Sequence, residues 1–350
     1  MPLRVVQWTT GNVGRRALHG IVAKPELELV GCYAHSKDKV GLDAGELCGL
    51  APIGVTTTDE VDTLLALGAD CVCYMPVYPD VDELVRILEA GCNVVTTSAF
   101  ITGHSLGAPA MERIDAAARR GGVSIFGSGI NPGFINVFAL LSAGICDRVD
   151  RISVLESVDS SGYASAETME GVGFGHPVDE PGLADRAREG SAVFVDAVAM
   201  MADALAVDLT DVRYDVEFAR ATTDLDLGFM KIPEGCVAAL NGGWTGYIDD
   251  RPVIELRVMW KMGTEGMEPD WPLRHGYFIE IDGRPAVRSR LQILPPDDWD
   301  EPVFDGLGMI MTAMPAVNAI PHVCAAPPGI VRGSDLATVT AAHLVRGSIG

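Results

Sequence analysis

The feature that most constrains the fold is an alternation running through the first 130 residues. Short apolar runs at 3–8, 27–34, 70–75, 93–97 and 123–126 are separated by helix-like segments at 13–23, 59–67, 80–90 and 109–120. Runs of this length are expected to be buried parallel strands. Pro25, Gly91 and the pair Gly121-Gly122 stop the intervening helices. Strands alternating with helices make βαβ units, and right-handed crossovers turn these into a doubly wound, Rossmann-type α/β sheet.

The pattern changes after about residue 150. Strand-like runs lie at 152–158, 214–221, 237–248, 253–262, 277–281 and 286–294, and several of them alternate apolar and polar residues. That is the pattern of a half-exposed sheet, so a second α+β domain on a mostly antiparallel sheet is expected. One long helix interrupts it at 191–206, and Asp282-Gly283 reads as a hairpin turn. A last helix is expected at 303–323, kinked at Pro315. The pattern divides the chain into segments 1–133, 134–302 and 303–350.

Composition narrows the partners. Lys and Arg number 26 against 48 Asp and Glu, a formal net charge of -22. Such a surface repels phosphate backbones and anionic lipid, so neither nucleic acid nor membrane is an expected partner. Eight cysteines include no C-x-x-C pair and no Cys/His cluster of zinc-like spacing, so reduced structural thiols and no metal are expected. No signal peptide and no run of membrane-spanning length are read, which makes the expected location cytoplasmic.

The decisive segment is Thr9-Thr10-Gly11-Asn12-Val13-Gly14-Arg15, placed after the first strand and opening the first helix. Gly11 would admit a pyrophosphate to the backbone, and Gly14 would let helix and strand pack closely. The helix start supplies N–H groups and a positive dipole end. Thr9 stands where the full G-x-G-x-x-G fingerprint has its first glycine. The tip of the second strand carries no acid for a ribose 2′-OH; Ser36, Lys37 and Arg15 could instead bind a 2′-phosphate. NADP is therefore the expected cofactor, with NAD left open through Asp38. Tyr74, Met75, Pro76 and Thr97 end strands on the same edge and are expected to pack on the cofactor.

These residues resemble the dihydrodipicolinate reductase N-terminal family, with its G-x-x-G-R fingerprint at Gly11 to Arg15. Gly129-Ile130-Asn131-Pro132-Gly133-Phe134 and the C-terminal Met314-Pro315-Ala316-Val317-Asn318 resemble a branch holding 2,4-diaminopentanoate dehydrogenase and the native amine dehydrogenases. The resemblance implies a nicotinamide-dependent enzyme acting on C=N or C–N bonds of a small molecule. It implies that Asn131 lies beside the nicotinamide and the substrate, with Pro132 also cofactor-binding. It implies a dinucleotide-binding domain at 1–133, a substrate and dimerisation domain of a homodimer at 134–302, and a helix and tail at 303–350 returning to the first domain. One departure stands out. The branch carries a catalytic Glu shortly after the strand ending at Thr97, where this chain has Ser98-Ala99-Phe100-Ile101.

Ala99, Phe100, Asn131, Asp159 and His275 are the expected substrate-pocket residues. Glu156 and Asp159 lie three apart on one strand, so they point to opposite faces unless the strand ends near Val158. Glu156, within an apolar run, is the first candidate for the missing acid. His176, in the Gly-rich segment Gly173-Phe174-Gly175, could act from a lid, and Tyr163 is a third donor. The competing reading is a non-catalytic NADP(H)-binding sensor that lost the acid.

Overall fold

A computed structural model describes residues 1–301 and 305–344. The chain divides into two compact units, Met1–Phe134 with the stretch from Met309 onward, and Ile135–Gly308.

The first unit opens with β1 (Leu3–Trp8), α1 (Asn12–Val22), β2 (Leu27–Tyr33), α2 (Ala44–Leu47), β3 (Thr57–Thr58) and α3 (Val61–Leu65). It continues with β4 (Cys71–Tyr74), α4 (Val81–Glu89), β5 (Asn93–Thr96), α5 (Ala108–Gly121) and β6 (Ser124–Gly127). Local chemistry sets these ends. The Asp80 carboxylate accepts from the Asp82 and Glu83 N–H groups and so starts α4. Gly122, at φ +70°, stops α5 in a left-handed turn that glycine adopts at no steric cost.

The second unit holds α6 (Ile135–Ala143), β7 (Arg148–Asp159), α7 (Ala166–Gly171), α8 (Leu183–Gly190), α9 (Val193–Ala204) and β8 (Asp211–Ala221). A short pair, β9 (Leu225–Asp226) and β10 (Lys231–Ile232), precedes β11 (Val237–Ile248), β12 (Arg251–Lys261), β13 (Met267–Glu268), β14 (Gly276–Arg284) and β15 (Val287–Leu291). Then α10 (Asp305–Cys324) leads to β16 (Gly329–Val331).

The first sheet has the order β16-β6-β5-β4-β1-β2-β3 and is parallel throughout. One face buries Val6, Trp8, Val72, Leu84 and Ile114. The other packs Val5, Ala17, Ile21 and Cys73 against Ala313, Val317 and Ile320 of α10. The second sheet has the order β13-β8-β11-β12-β7-β14-β15 and is antiparallel except between β12 and β7. It is thus the α/β Rossmann sheet with a second, mostly antiparallel α+β unit that the hydrophobic pattern implied.

Several details differ from the sequence reading. Asp282 and Gly283 lie inside β14, paired with Arg151 and Val149 of β7. The hairpin to β15 therefore turns beyond Arg284. α6 went unread because it is apolar on nearly every side and shows no helical stripe. Val303, the expected start of the last helix, lies outside the described residues. Gly306–Cys324 of that helix, with a mean hydropathy of 1.3, is long and apolar enough to cross a membrane, contrary to the sequence expectation. Its Ala313, Ala316, Val317, Ala319, Ile320 and Val323 are instead fully buried in the first unit.

Candidate functional site

β1 delivers the chain to the carboxyl edge of the first sheet, where Thr9 turns it into α1. Thr9 takes φ +74°, the left-handed region a glycine would hold at that point of the fingerprint. A Cβ at Gly14 would stand 2.4 Å from the Thr9 carbonyl oxygen, so only glycine fits there. Around a Cβ at Gly11 there is nothing within 4 Å among the described residues, so they leave the loop's outer side open. Asn12 and Val13 begin α1, whose first turn has neither a side-chain cap nor an acidic residue. This contrasts with α2, whose Asp43 cap accepts from Gly45 and Glu46, and with capped α4. No capping side chain therefore stands between the start of α1 and a ligand.

The cations around this loop are not all those the sequence suggested. Lys37 is 86% exposed and paired with Asp59, just beyond β3. Lys39, which sequence reasoning missed, donates from Nζ to the Thr10 carbonyl at 3.3 Å. Arg15 is exposed on the first turn of α1, and Ser36 is exposed beyond β2. The signal for Lys39 was its spacing from the strand tip, which shows nothing until the 35–54 loop folds. Asp43 folds that loop, accepting also from the Ile53 and Gly54 N–H groups. His19 of α1 binds the Cys48 carbonyl at 2.6 Å and ties the loop down.

Two aromatic candidates belong to the core. The Tyr74 ring is fully buried, with its hydroxyl accepting from the Asp80 N–H at 3.2 Å. Phe100 is also fully buried, against Trp8 and Ile114. Neither can pack on a cofactor or line a pocket. Met75 is buried and accepts from the Thr97 hydroxyl, while the Pro76 carbonyl accepts from Ser98 Oγ at 2.6 Å. Val77 and Tyr78, just beyond, are 41% and 48% exposed and are the apolar side chains this edge presents. Ala99 is half-buried, its N–H held by the Val77 carbonyl. Asn131 and Pro132, joined by a cis peptide bond, follow β6 and are both partly exposed. Asn318 of α10 has a buried Oδ1 without a partner among the described residues.

In the second unit the register of three strands builds a different cluster. Glu156 of β7 lies opposite Val258 of β12 and Tyr277 of β14, so all three share a face. Glu156 is 7% exposed, and the Tyr277 hydroxyl donates to its Oε1 at 3.2 Å. Burial first, then the Glu156 charge, pushes the Tyr277 phenol well above the ordinary tyrosine range. Tyr163 is raised by the same two causes in the same order. The structure therefore sets Tyr277, which lies 121 positions along the chain, against Glu156, while Tyr163 feels the Glu156 charge.

The other candidates do different work. Asp159 Oδ1 accepts from the Ser161 and Gly263 N–H groups and fixes a turn. His176 is held through Nδ1 by Glu180 at 2.8 Å. Its Gly-rich segment is bonded to β11, with Gly175 N donating to Val237 O and Val237 N to His176 O. Phe174 is fully buried, so this segment is an anchored stretch and not a lid. His275 is exposed, at φ +52°, and its carbonyl accepts from Arg290 at 3.0 Å.

A Rossmann sheet with an uncapped, glycine-built first helix, followed by a large mixed-sheet unit, is the architecture of the NAD(P)-dependent oxidoreductases, and the relatives place the chain in that class. The profile of the 2,4-diaminopentanoate dehydrogenase C-terminal domain matches residues 134–346, and the chain belongs to that family. It is 29% identical to an amine dehydrogenase of Streptomyces virginiae, covering 95% of this chain and 96% of that one. It is 28% identical to a 2,4-diaminopentanoate dehydrogenase of Acetoanaerobium sticklandii over 73% of this chain and 69% of that one. The amine dehydrogenase structure from Mycobacterium smegmatis shares the fold, with a TM-score of 0.80 at 22% identity over 97% of both chains.

Proposed function

We propose that the protein catalyses hydride transfer between NADP(H) and the carbon of a C=N or C=O bond in a small organic molecule. The observation that carries this reading is the buried Glu156 carboxylate accepting from the Tyr277 hydroxyl, in a family whose relatives are dehydrogenases. It offers a proton-handling group in a chain whose Ser98-Ala99-Phe100-Ile101, directly after Thr97, hold no carboxylate. The amine and diaminopentanoate names of the relatives favour a C=N substrate.

The residues of the first unit fit a dinucleotide. The first N–H groups of α1 would hold the diphosphate over the open side of Gly11, with Thr9, Asn12 and Val13 framing it. Lys39 and Arg15 would hold a 2′-phosphate, while Lys37 is taken by Asp59. When bound, the nicotinamide supplies or accepts the hydride. Glu156 would hold the proton, Tyr163 would pass it to or from the substrate heteroatom, and Tyr277 would keep the carboxylate in place. The test is NADPH oxidation with a panel of ketones and aldehydes, with and without ammonium. Turnover that requires ammonium is the expected result. Tight NADPH binding without turnover of any carbonyl or imine would overturn the proposal.

A homodimer is proposed for the second sheet. The face carrying Arg151, Glu255, Arg257 and Asp215 is a ladder of half-exposed ion pairs, at 3.3 Å between Arg151 and Glu255 and 2.8 Å between Arg257 and Asp215. Light scattering should give about twice the 37.1 kDa chain mass. A monomer mass at micromolar concentration removes this part.

A further inference from the structure

A polar side chain sits where β1 is most deeply buried. Gln7 is fully buried, and its Nε2 donates to the Thr9 carbonyl at 2.9 Å and to the Trp8 carbonyl at 3.4 Å. Its Oε1 has no partner among the described residues. Turning the amide over would set that oxygen against two carbonyl oxygens, so the orientation is fixed by chemistry. The fold uses the donor half of this side chain and leaves the acceptor half unmet.

What the donor holds is unusual. Thr9 is β-branched, yet it takes the left-handed conformation at φ +74°. Its carbonyl is packed over Gly14, and the Gln7 Nε2 would lie 3.2 Å from a Cβ there. The direction of the Thr9 carbonyl sets the path of Thr10 and Gly11 into α1. We infer that Gln7 is the positioning residue of the dinucleotide loop, holding Thr9 in its strained conformation so that the N–H groups of α1 face a diphosphate. This rests on the reading that α1 binds the coenzyme.

The test is a cycle of four proteins, wild type, Gln7→Leu, Thr9→Gly and the double variant, titrated with NADPH by fluorescence. Glycine adopts positive φ freely, so Thr9→Gly should need no help from residue 7. Gln7→Leu should weaken NADPH binding about tenfold and raise its KM without changing kcat at saturation. The double variant should return to within about threefold of wild type. Equal loss from Gln7→Leu with and without Thr9→Gly, or a lowered melting temperature with unchanged affinity, overturns the inference. Should Gln7→Leu not fold, Gln7→Met keeps the length of the side chain without its N–H donor and should show the same loss and the same rescue. If the wild type binds NADPH but Gln7→Leu binds it equally well, only this inference fails. If the wild type binds neither NADPH nor NADH, the functional proposal fails with it.

Discussion

The two units make their sites in opposite ways. In the first, the residues from Thr9 to Gly14 are consecutive, and they offer backbone N–H groups and open space. In the second, Glu156, Tyr163 and Tyr277 arrive from separate strands and a loop, and they offer side chains. A backbone site depends on what is missing, a Cβ at Gly14 above all. A side-chain site depends on register, because a one-residue slip of β14 would turn Tyr277 away from Glu156. The first kind tolerates surface change and fails when something is added. The second fails when one functional group is removed.

That division can be broken by substitution. The largest effect is expected from Glu156→Gln, which should lower kcat by about 10² to 10⁴ while leaving NADPH affinity alone. A parallel loss of affinity would show that the units do not divide the work. Gly14→Ala should do the reverse, weakening coenzyme binding by about 10- to 100-fold through the clash with the Thr9 carbonyl. Its kcat at saturating NADPH should hold. Lys39→Ala should cost about tenfold for NADPH and less than about twofold for NADH. Lys37→Ala, in an exposed pair, should change either by less than about twofold. If Lys37 proves the larger effect, the sequence-based choice of cation was the better one.

The smallest effect is a matter of pH. The phenols of Tyr163 and Tyr277 are raised by burial and by the Glu156 charge. A raised phenol contributes stability that is intact below the ordinary tyrosine value, about 10, and is lost as pH climbs past it. Spectrophotometric titration should find fewer phenolates at about pH 11 than the seven tyrosines of the chain allow. Tyr277→Phe should leave that amplitude unchanged; a drop would mean the buried phenol ionises early.

The first unit was largely legible because its signals are local. Apolar runs, Asp80 at a helix start and Gly122 at a helix end each act within a few residues of themselves. The family resemblance was legible for the same reason, resting on short contiguous segments. Tyr74 and Phe100 were misjudged because an edge position does not say which way a ring points. Both turn into the core, while Val77 and Tyr78 stay out. Tyr277 left no trace in the sequence, since its partner is set by the pairing of β14 with β7. Lys39 was hidden by a loop whose shape comes from Asp43 accepting four backbone N–H groups. Asp282-Gly283 looked like a turn by composition, but strand pairing outweighed it.

The return of the chain through α10 and β16 has a consequence for biosynthesis. One face of the first sheet is closed by Ala313, Val317 and Ile320, and its edge by Gly329–Val331 against β6. On the ribosome, Val5, Ala17 and Cys73 must therefore wait for the whole intervening unit to be made, on the order of ten seconds or more of translation. The N-terminal half emerges first and is finished last. During that interval it exposes apolar surface of the kind that chaperones recognise, and a chain cut short before α10 should aggregate rather than bind coenzyme weakly.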